Sequence, residues 1–145
     1  MKEKLKEVIP YIIIVFVVIF IKAFIVTPIR VNGPSMLPTL KEKDIMILNK
    51  TAYYFSSPKR FDIVVIDTKE NYIIKRIIGL PGEEIEYKDN ALYVNGEKVE
   101  EKIENLQTED FTSEELGSKK IPEDTYLVLG DNRMESYDSR SIGFI

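Results

Sequence analysis

The chain contains no histidine and no cysteine. Without cysteine there is no disulfide, no thiol nucleophile and no thiolate metal site. That absence suits an extracytoplasmic domain as well as a cytosolic one. Without histidine, the commonest general base and the commonest metal ligand are both missing. Carboxylate-only Mg²⁺ or Ca²⁺ sites remain possible in principle, but no EF-hand spacing is present, and no metal or other cofactor is expected. A basic surface is lacking too. The 145 residues carry 20 Lys/Arg and 24 Asp/Glu. Five and two of these fall in residues 1–30, leaving 15 and 22 in residues 31–145, a net charge of −7. Such an acidic segment argues against nucleic-acid binding, which depends on neutralising phosphates. A serine nucleophile in this chain would need a base other than imidazole, and lysine is the natural partner.

The length allows one soluble domain plus a membrane segment. Residues 1–7 form a short charged lead. From Val8 to Ile29 nearly everything is apolar, interrupted by Pro10, Lys22, Thr27 and Pro28. A span needs about 20 residues to cross about 30 Å of hydrocarbon. The run is apolar on all sides, unlike an amphipathic core helix. No small-x-small cleavage site follows it, since the next residues are Thr27-Pro28-Ile29-Arg30. The pattern predicts an uncleaved transmembrane anchor over residues 8–28. Pro10 is expected in its first turn, Lys22 snorkelling at the far end, and Tyr11 and Phe24 at the two interfaces. Lys2, Lys4 and Lys6 favour a cytoplasmic N-terminus, although Arg30, Lys41 and Lys43 soften that bias. The expected arrangement is single-pass in the plasma membrane, with the domain on the outer face.

After the anchor the texture changes to short β segments. Ile29 and Val31 alternate with Arg30 and Asn32 as in an extended strand. Further strands are predicted at Asp44–Leu48, Phe61–Asp67, Tyr72–Ile78, Glu84–Lys88, Leu92–Val94 and Thr125–Leu129. Asp89-Asn90-Ala91 and Asn95-Gly96 mark hairpin turns. Residues 100–120 read as a polar, solvated excursion with at most one or two helical turns. Many short strands separated by turn residues predict a mostly-β domain, barrel-like or sandwich-like.

Three stretches could carry chemistry. Ser35 sits in Gly33-Pro34-Ser35-Met36-Leu37-Pro38, where Pro34 is expected to hold Gly33 extended and Pro38 restricts the continuation. A stiffened turn can present a hydroxyl and a backbone N–H together, but an ordinary turn serine would look the same. Lys75 sits in Tyr72-Ile73-Ile74-Lys75-Arg76-Ile77-Ile78. Alternation puts it on one face with Ile73 and Ile77. Burial there would lower its pKa and let it accept a proton near neutral pH. An edge-strand lysine pointing to water fits the same pattern. The third stretch, Gly130 to Arg140, mixes hydroxyls, carboxylates and two arginines. It could orient a buried lysine or simply be a satisfied polar loop.

Taken together, these stretches resemble the type I signal peptidases, membrane-bound serine endopeptidases that remove signal peptides from exported proteins. The similarity rests on Pro34–Leu40, on Phe61-Asp62-Ile63-Val64-Val65, on Tyr72–Glu83, and on Gly130-Asp131-Asn132-Arg133 through Ser136, Asp138, Ser139 and Arg140. They occur in the family's order behind an anchor and cover nearly the whole chain. The resemblance implies a signal-peptidase-type catalytic β domain over residues 29–145, a Ser–Lys dyad of Ser35 and Lys75, and the signal peptides of exported preproteins as partners beside the lipid bilayer. It implies that Ser136 hydrogen-bonds the lysine, that Asp138 and Arg140 support their loop, and that Asp131 pairs with Arg76. The oxyanion would be held by the Ser35 N–H. Some relatives add a hydroxyl two residues earlier, where this chain has Gly33, leaving only that residue's backbone. Substrate would lie as a strand beside Ile29–Gly33 and Ile73–Lys75. Ile29, Val31, Met36, Leu40, Ile73 and Ile74 would line shallow pockets for small side chains. Phe61 stands where the family usually has glycine, so a differing local turn is expected. Family members usually continue past the position of Ile145 with a closing strand, so the resemblance implies a chain cut short there.

Two other readings fit parts of the pattern. A Ser–Lys autoprotease of the transcriptional-repressor kind shares the dyad, but would need a DNA-binding module or a self-cleavage site. A membrane-tethered β domain could bind peptides without cutting them, and would then not acylate at Ser35.

Overall fold

The long apolar run folds as α1, Lys2–Phe24. In the computed structural model the described residues are 2–69 and 71–145; Met1, the first residue of the charged lead, lies outside them. The lead is continuous with α1, so Pro10 falls inside the helix rather than in its first turn. Ile and Val are modest helix formers in water, and the large apolar side chains from Val8 to Phe24 stay exposed. They pack on no protein core. Residues Glu7–Phe24 are long and apolar enough to cross a membrane by length and composition.

The helix stops four residues before the boundary that hydropathy suggests. Val26–Arg30 is a strand, β1, antiparallel to β2, Ile45–Asn49, with Ile29 opposite Met46 and Arg30 opposite Ile45. β-branched strand residues raise hydropathy as much as helical ones do, so composition alone overran the helix end. α1, this hairpin and the loop to Ser57 form one compact unit (Met1–Arg30 and Ile45–Ser57); Val31–Asp44 and Pro58–Ile145 form a second.

The second unit contains two antiparallel sheets. One has the order β3-β4-β9, with β3 at Ile63–Asp67, β4 at Tyr72–Gly79 and β9 at Leu127–Leu129. The other runs β7-β6-β5-β8, with β5 at Ile85–Lys88, β6 at Ala91–Val94, β7 at Glu97–Val99 and β8 at Phe111–Thr112. The turns between β5, β6 and β7 keep Asp89, Asn90, Asn95 and Gly96 at positive φ, as two-residue hairpins with right-handed strand twist require. Both sheets feed one core: Ile78 from β4, Leu127 and Leu129 from β9, Ile85 and Tyr87 from β5, Leu92 and Val94 from β6 and Phe111 from β8. Each such burial contributes about 1.5–3 kcal/mol.

Most of the segment 100–120 is exposed, but Thr108, Phe111 and Ser113 are buried and tie it down. Phe111 pairs opposite Tyr87 and stacks on its ring at 5.1 Å. Ser113 starts a 3-10 turn to Leu116 and is fully buried, its hydroxyl bonding Ile85 N and Lys119 O. A few buried anchors hold an otherwise acidic stretch, and they have no period for a sequence reading to detect.

Candidate active site

Ser35 lies in a loop tied down at several points. Leu37 N–H donates to Pro34 O at 3.0 Å, and Leu40 N–H to Met36 O at 2.9 Å. The Ser35 carbonyl accepts the Asn132 N–H at 3.0 Å, and Asn132 Nδ2 reaches Pro34 O. The Met36 side chain is fully buried and anchors the turn from below. Gly33 is not held extended by the following proline. Its φ is +81°, a region that glycine enters without a Cβ penalty. Among the described residues the Ser35 N–H donates to no protein acceptor.

Lys75 projects from β4, with Ile74 and Arg76 on the opposite face. It lies opposite Val64 of β3 and is only 3% exposed. Its Nζ is 2.8 Å from Ser35 Oγ. Desolvation lowers the lysine pKa below its ordinary value; the nearby Asp138 and Asp131 carboxylates oppose that shift without cancelling it.

The loop after β9 supplies the remaining polar groups. Asp131 holds Arg76 through two bonds, Nε to Oδ1 at 2.8 Å and Nη2 to Oδ2 at 2.6 Å. Asp138 is completely buried. It accepts the Gly130 N–H at 3.0 Å and two Arg140 guanidinium bonds at 2.9 Å each. Burial pushes its carboxyl up, but Arg140, the Gly130 N–H and the nearby Ser136 hydroxyl together hold it below the usual carboxylate value. Ser136 Oγ is buried and makes no hydrogen bond of regular geometry to any described residue. It is therefore not bonded to Lys75 here, as the resemblance implied. Gly130 allows this crowding: a Cβ there would run into Ser136 Oγ and the Ser35 carbonyl.

The residues expected to line the pockets separate. Ile73 is half-buried on the Lys75 face of β4, whereas Ile74 points to the other face. Leu40 is half-buried. Val31 and Met36 are buried and offer almost no surface to a ligand. Ile29 belongs to β1, in the first compact unit. β9 pairs with β4 only from Arg76 onward, so the side of Tyr72–Lys75 away from β3 carries no strand among the described residues.

Residues 4–145 match the family described as "Signal peptidase, peptidase S26". The chain belongs to the signal peptidase family. It is 42% identical over 156 aligned positions to signal peptidase I of Bacillus caldolyticus, covering 99% of this chain and 85% of that one. Signal peptidase I S of Bacillus subtilis is 39% identical, with 90% and 74% covered. The crystal structure of a signal peptidase I from Enterococcus faecalis superposes with a TM-score of 0.55 at 42% identity, over 62% of this chain and 90% of that one. The protein is thus a hydrolase of the serine peptidase type, with a mostly-β fold behind one N-terminal apolar helix. Phe61, where the resemblance implied a differing local turn, sits at φ +72°, backbone territory that glycine enters most easily.

Sequence reasoning named Asn132, Arg133 and Ser139 in the matching stretch but gave them no role. Arg133 is buried and donates from Nε to Gly130 O, from Nη1 to Tyr87 Oη and Thr108 Oγ1, and from Nη2 to Glu101. Asn132 clamps the Ser35 loop. Ser139 Oγ accepts the Val128 N–H. Nothing in the sequence connects Arg133 to Glu101, which lies 32 residues earlier.

Proposed function

We propose that this chain is a membrane-anchored endopeptidase that cleaves signal peptides from exported precursors with a Ser35–Lys75 dyad. The observation that carries this reading is the 2.8 Å contact between Ser35 Oγ and a buried amine with a lowered pKa. A neutral Lys75 takes the Oγ proton as Oγ attacks the scissile carbonyl carbon. The oxygen that becomes negative is held by the uncommitted Ser35 N–H, with Gly33 able to offer only backbone. Such a donor is worth about 2.7–4 kcal/mol where it is used. The lysinium then protonates the departing amine, leaving an acyl ester on Ser35. Water, giving its proton to Lys75, attacks that ester and releases the signal peptide.

Ser136 lies close to these groups, and its hydroxyl, beside Asp138, is available to steer the Lys75 amine once substrate is bound. Catalytic hydrogen bonds often tighten only in the complex. Asp138, Arg140, Asp131 and Arg76 keep the surrounding backbone fixed. The precursor would add as a strand to the open edge of β4 at Tyr72–Lys75, by β-augmentation. Ile73 and Leu40 would crowd the first pockets and favour small side chains. Residues 8–28 would carry the anchor, with its helical part ending at Phe24 and the N-terminus in the cytoplasm. Residues 29–145 would work on the outer face of the plasma membrane, where the precursor's own apolar segment emerges.

The test is acylation and cleavage with the full chain in lipid vesicles. A serine-reactive probe is expected to label Ser35, and a precursor to be cut at one site. Ser35→Ala and Lys75→Ala should each abolish both. Cleavage retained in Lys75→Ala would remove the mechanism. Peptide binding with no labelling at Ser35 would instead support a non-cutting tethered domain.

A further inference from the structure

The open edge of β4 stops at Lys75. β9 pairs with the strand from Arg76 onward, and Gly130, which follows β9, lies against the Ser35 carbonyl. A precursor laid along Tyr72–Lys75, as proposed above, therefore cannot continue along the sheet past the cut. Its departing half has to leave over the surface just beyond Ser35. That surface holds a groove to which the peptidase chemistry assigns nothing.

The groove has a volume of about 290 Å³. Leu37 and Pro38, which follow the nucleophile, form one wall, and Asn132 and Met134 form a second. Glu104 and Gln107 of the 100–120 segment close the third side. Hydrogen bonds fix its place beside Ser35. Asn132 donates from its N–H to Ser35 O and from Nδ2 to Pro34 O, and the Leu37 N–H donates to Pro34 O. The groove thus begins two residues from the nucleophile. Its apolar wall is open to a ligand, with Met134 64% exposed.

The charges around it do not balance. Asp131 is neutralised by Arg76, and Arg133 by Glu101. Glu104 and Glu135 are exposed, and among the described residues neither has a cationic partner. Glu135 Oε2 accepts only from Asn132 Nδ2, at 3.3 Å, which places its carboxylate at the groove. Apolar walls under two unpaired carboxylates suit a long cationic side chain, its stem on Leu37 and Met134 and its head at the rim. The same field repels an acidic side chain.

We propose that this groove receives the first residues of the mature protein, just after the cut, and favours Lys or Arg there over Asp or Glu through Glu104 and Glu135. It rests on the peptidase reading and adds selection on the leaving side of the scissile bond. The test uses the full chain in phosphatidylcholine vesicles, which carry no net charge and do not concentrate cationic peptides. Three precursor peptides are identical through the first residue after the cut and carry Lys, Gln or Glu at the next two positions. kcat/KM should fall in the order Lys, Gln, Glu, by about threefold at each step, as exposed charge pairs allow. The spread should narrow at about 1 M salt. Glu104→Lys should flatten or invert the order. Glu109→Lys, an exposed change of equal charge on the same segment but outside the groove, should keep it. Equal rates for the three peptides, or an order unchanged in Glu104→Lys, would overturn the groove while cleavage itself leaves the peptidase reading standing. An order lost equally in Glu109→Lys would overturn it in favour of net charge. Cleavage of no peptide, with no labelling of Ser35, would overturn the peptidase reading and the groove with it.

Discussion

Lys75 Nζ and Ser35 Oγ sit 2.8 Å apart although forty residues separate them in the chain. β4 supplies the amine from a buried strand face, and a turn clamped by Asn132 supplies the hydroxyl. Because neither group is on a free loop, their contact belongs to the resting fold and does not have to be assembled by substrate.

The dyad makes a signed prediction about pH. Lys75 titrates below the ordinary lysine value because it is desolvated. If Lys75 is the base, as proposed, activity requires the neutral amine, and kcat/KM should rise with pH through that lowered value and level off above it. The same group costs stability as pH falls from the ordinary lysine value to the lowered one, and the loss is complete below it, where the folded state carries a buried ammonium. A rate profile that rises only near the free-lysine value would contradict the burial. Lys75→Arg should be inactive across the range, since a guanidinium does not deprotonate in a protein. Steady-state cleavage of a short soluble peptide measures both.

Asp138 provides an independent check on the same electrostatics. Its charge raises the Lys75 pKa, so Asp138→Asn should move the acid limb of the rate profile to lower pH. The substitution also weakens the partners of Arg140 and of the Gly130 N–H, at a cost of about 1–3 kcal/mol. In the unaltered chain the Asp138 carboxyl is held below its usual value. Its stabilising share is therefore full above the unfolded carboxylate pKa and disappears as pH falls through the folded one. Denaturant titrations across the acid range test the stability statement, and the shifted limb tests the coupling.

Much of this arrangement is legible in the residues themselves. The absence of histidine leaves lysine as the base for any serine, and strand alternation puts Lys75 between Ile73 and Ile77 on a face that is in fact buried. Asp138 and Arg140 are close enough in sequence to suggest pairing. What escapes is whatever depends on aperiodic chain. Arg133 finds Glu101 and Thr108 only because the acidic 100–120 segment folds back onto Tyr87. Ile74 looks like a neighbour of Lys75 but faces away from it. Val31 and Met36 look like pocket walls and are buried instead. Hydropathy also merges α1 with β1, since Val26 and Ile29 raise it as much as helical residues do.

Ser136 and Gly130 separate positioning from folding. Ser136 Oγ is buried without a hydrogen bond of regular geometry, yet it helps hold the Asp138 carboxyl down. Ser136→Ala should cost no more than about 1 kcal/mol of folding stability, while kcat falls with little change in KM. Gly130→Ala should lower both stability and turnover, because its Cβ overlaps the Ser136 hydroxyl and the Ser35 carbonyl together. Overpacking of this kind costs about 1–3 kcal/mol, and here it also displaces the nucleophile turn. Gly79→Ala is the control. Its Cβ would run into Ile121 and Ile85 of the core, so it should lower Tm with a smaller loss of turnover per folded molecule.

Arg133 supports the last prediction. Its guanidinium is fully buried and tied to Glu101, Tyr87, Thr108 and the Gly130 carbonyl, while Arg140 Nη2 donates to the Arg133 carbonyl at 2.6 Å. Burial, the dominant effect, pushes the Tyr87 hydroxyl well above its ordinary pKa; Glu101 adds to the rise and Arg133 opposes it. Arg133→Ala leaves the Glu101 carboxylate buried without its cation, and breaking such a pair costs about 3–5 kcal/mol. Tyr87→Phe removes one acceptor from Arg133 and one donor to Glu101 while keeping the charges paired, so it should cost about 1–2 kcal/mol. The double variant should fall well short of additive, because both changes open the same network. Urea unfolding of the four proteins measures the coupling. Additive losses would mean that the 101–108 segment and the loop holding Ser136 and Asp138 are stabilised independently, whereas strong coupling would make Arg133 the strut between them.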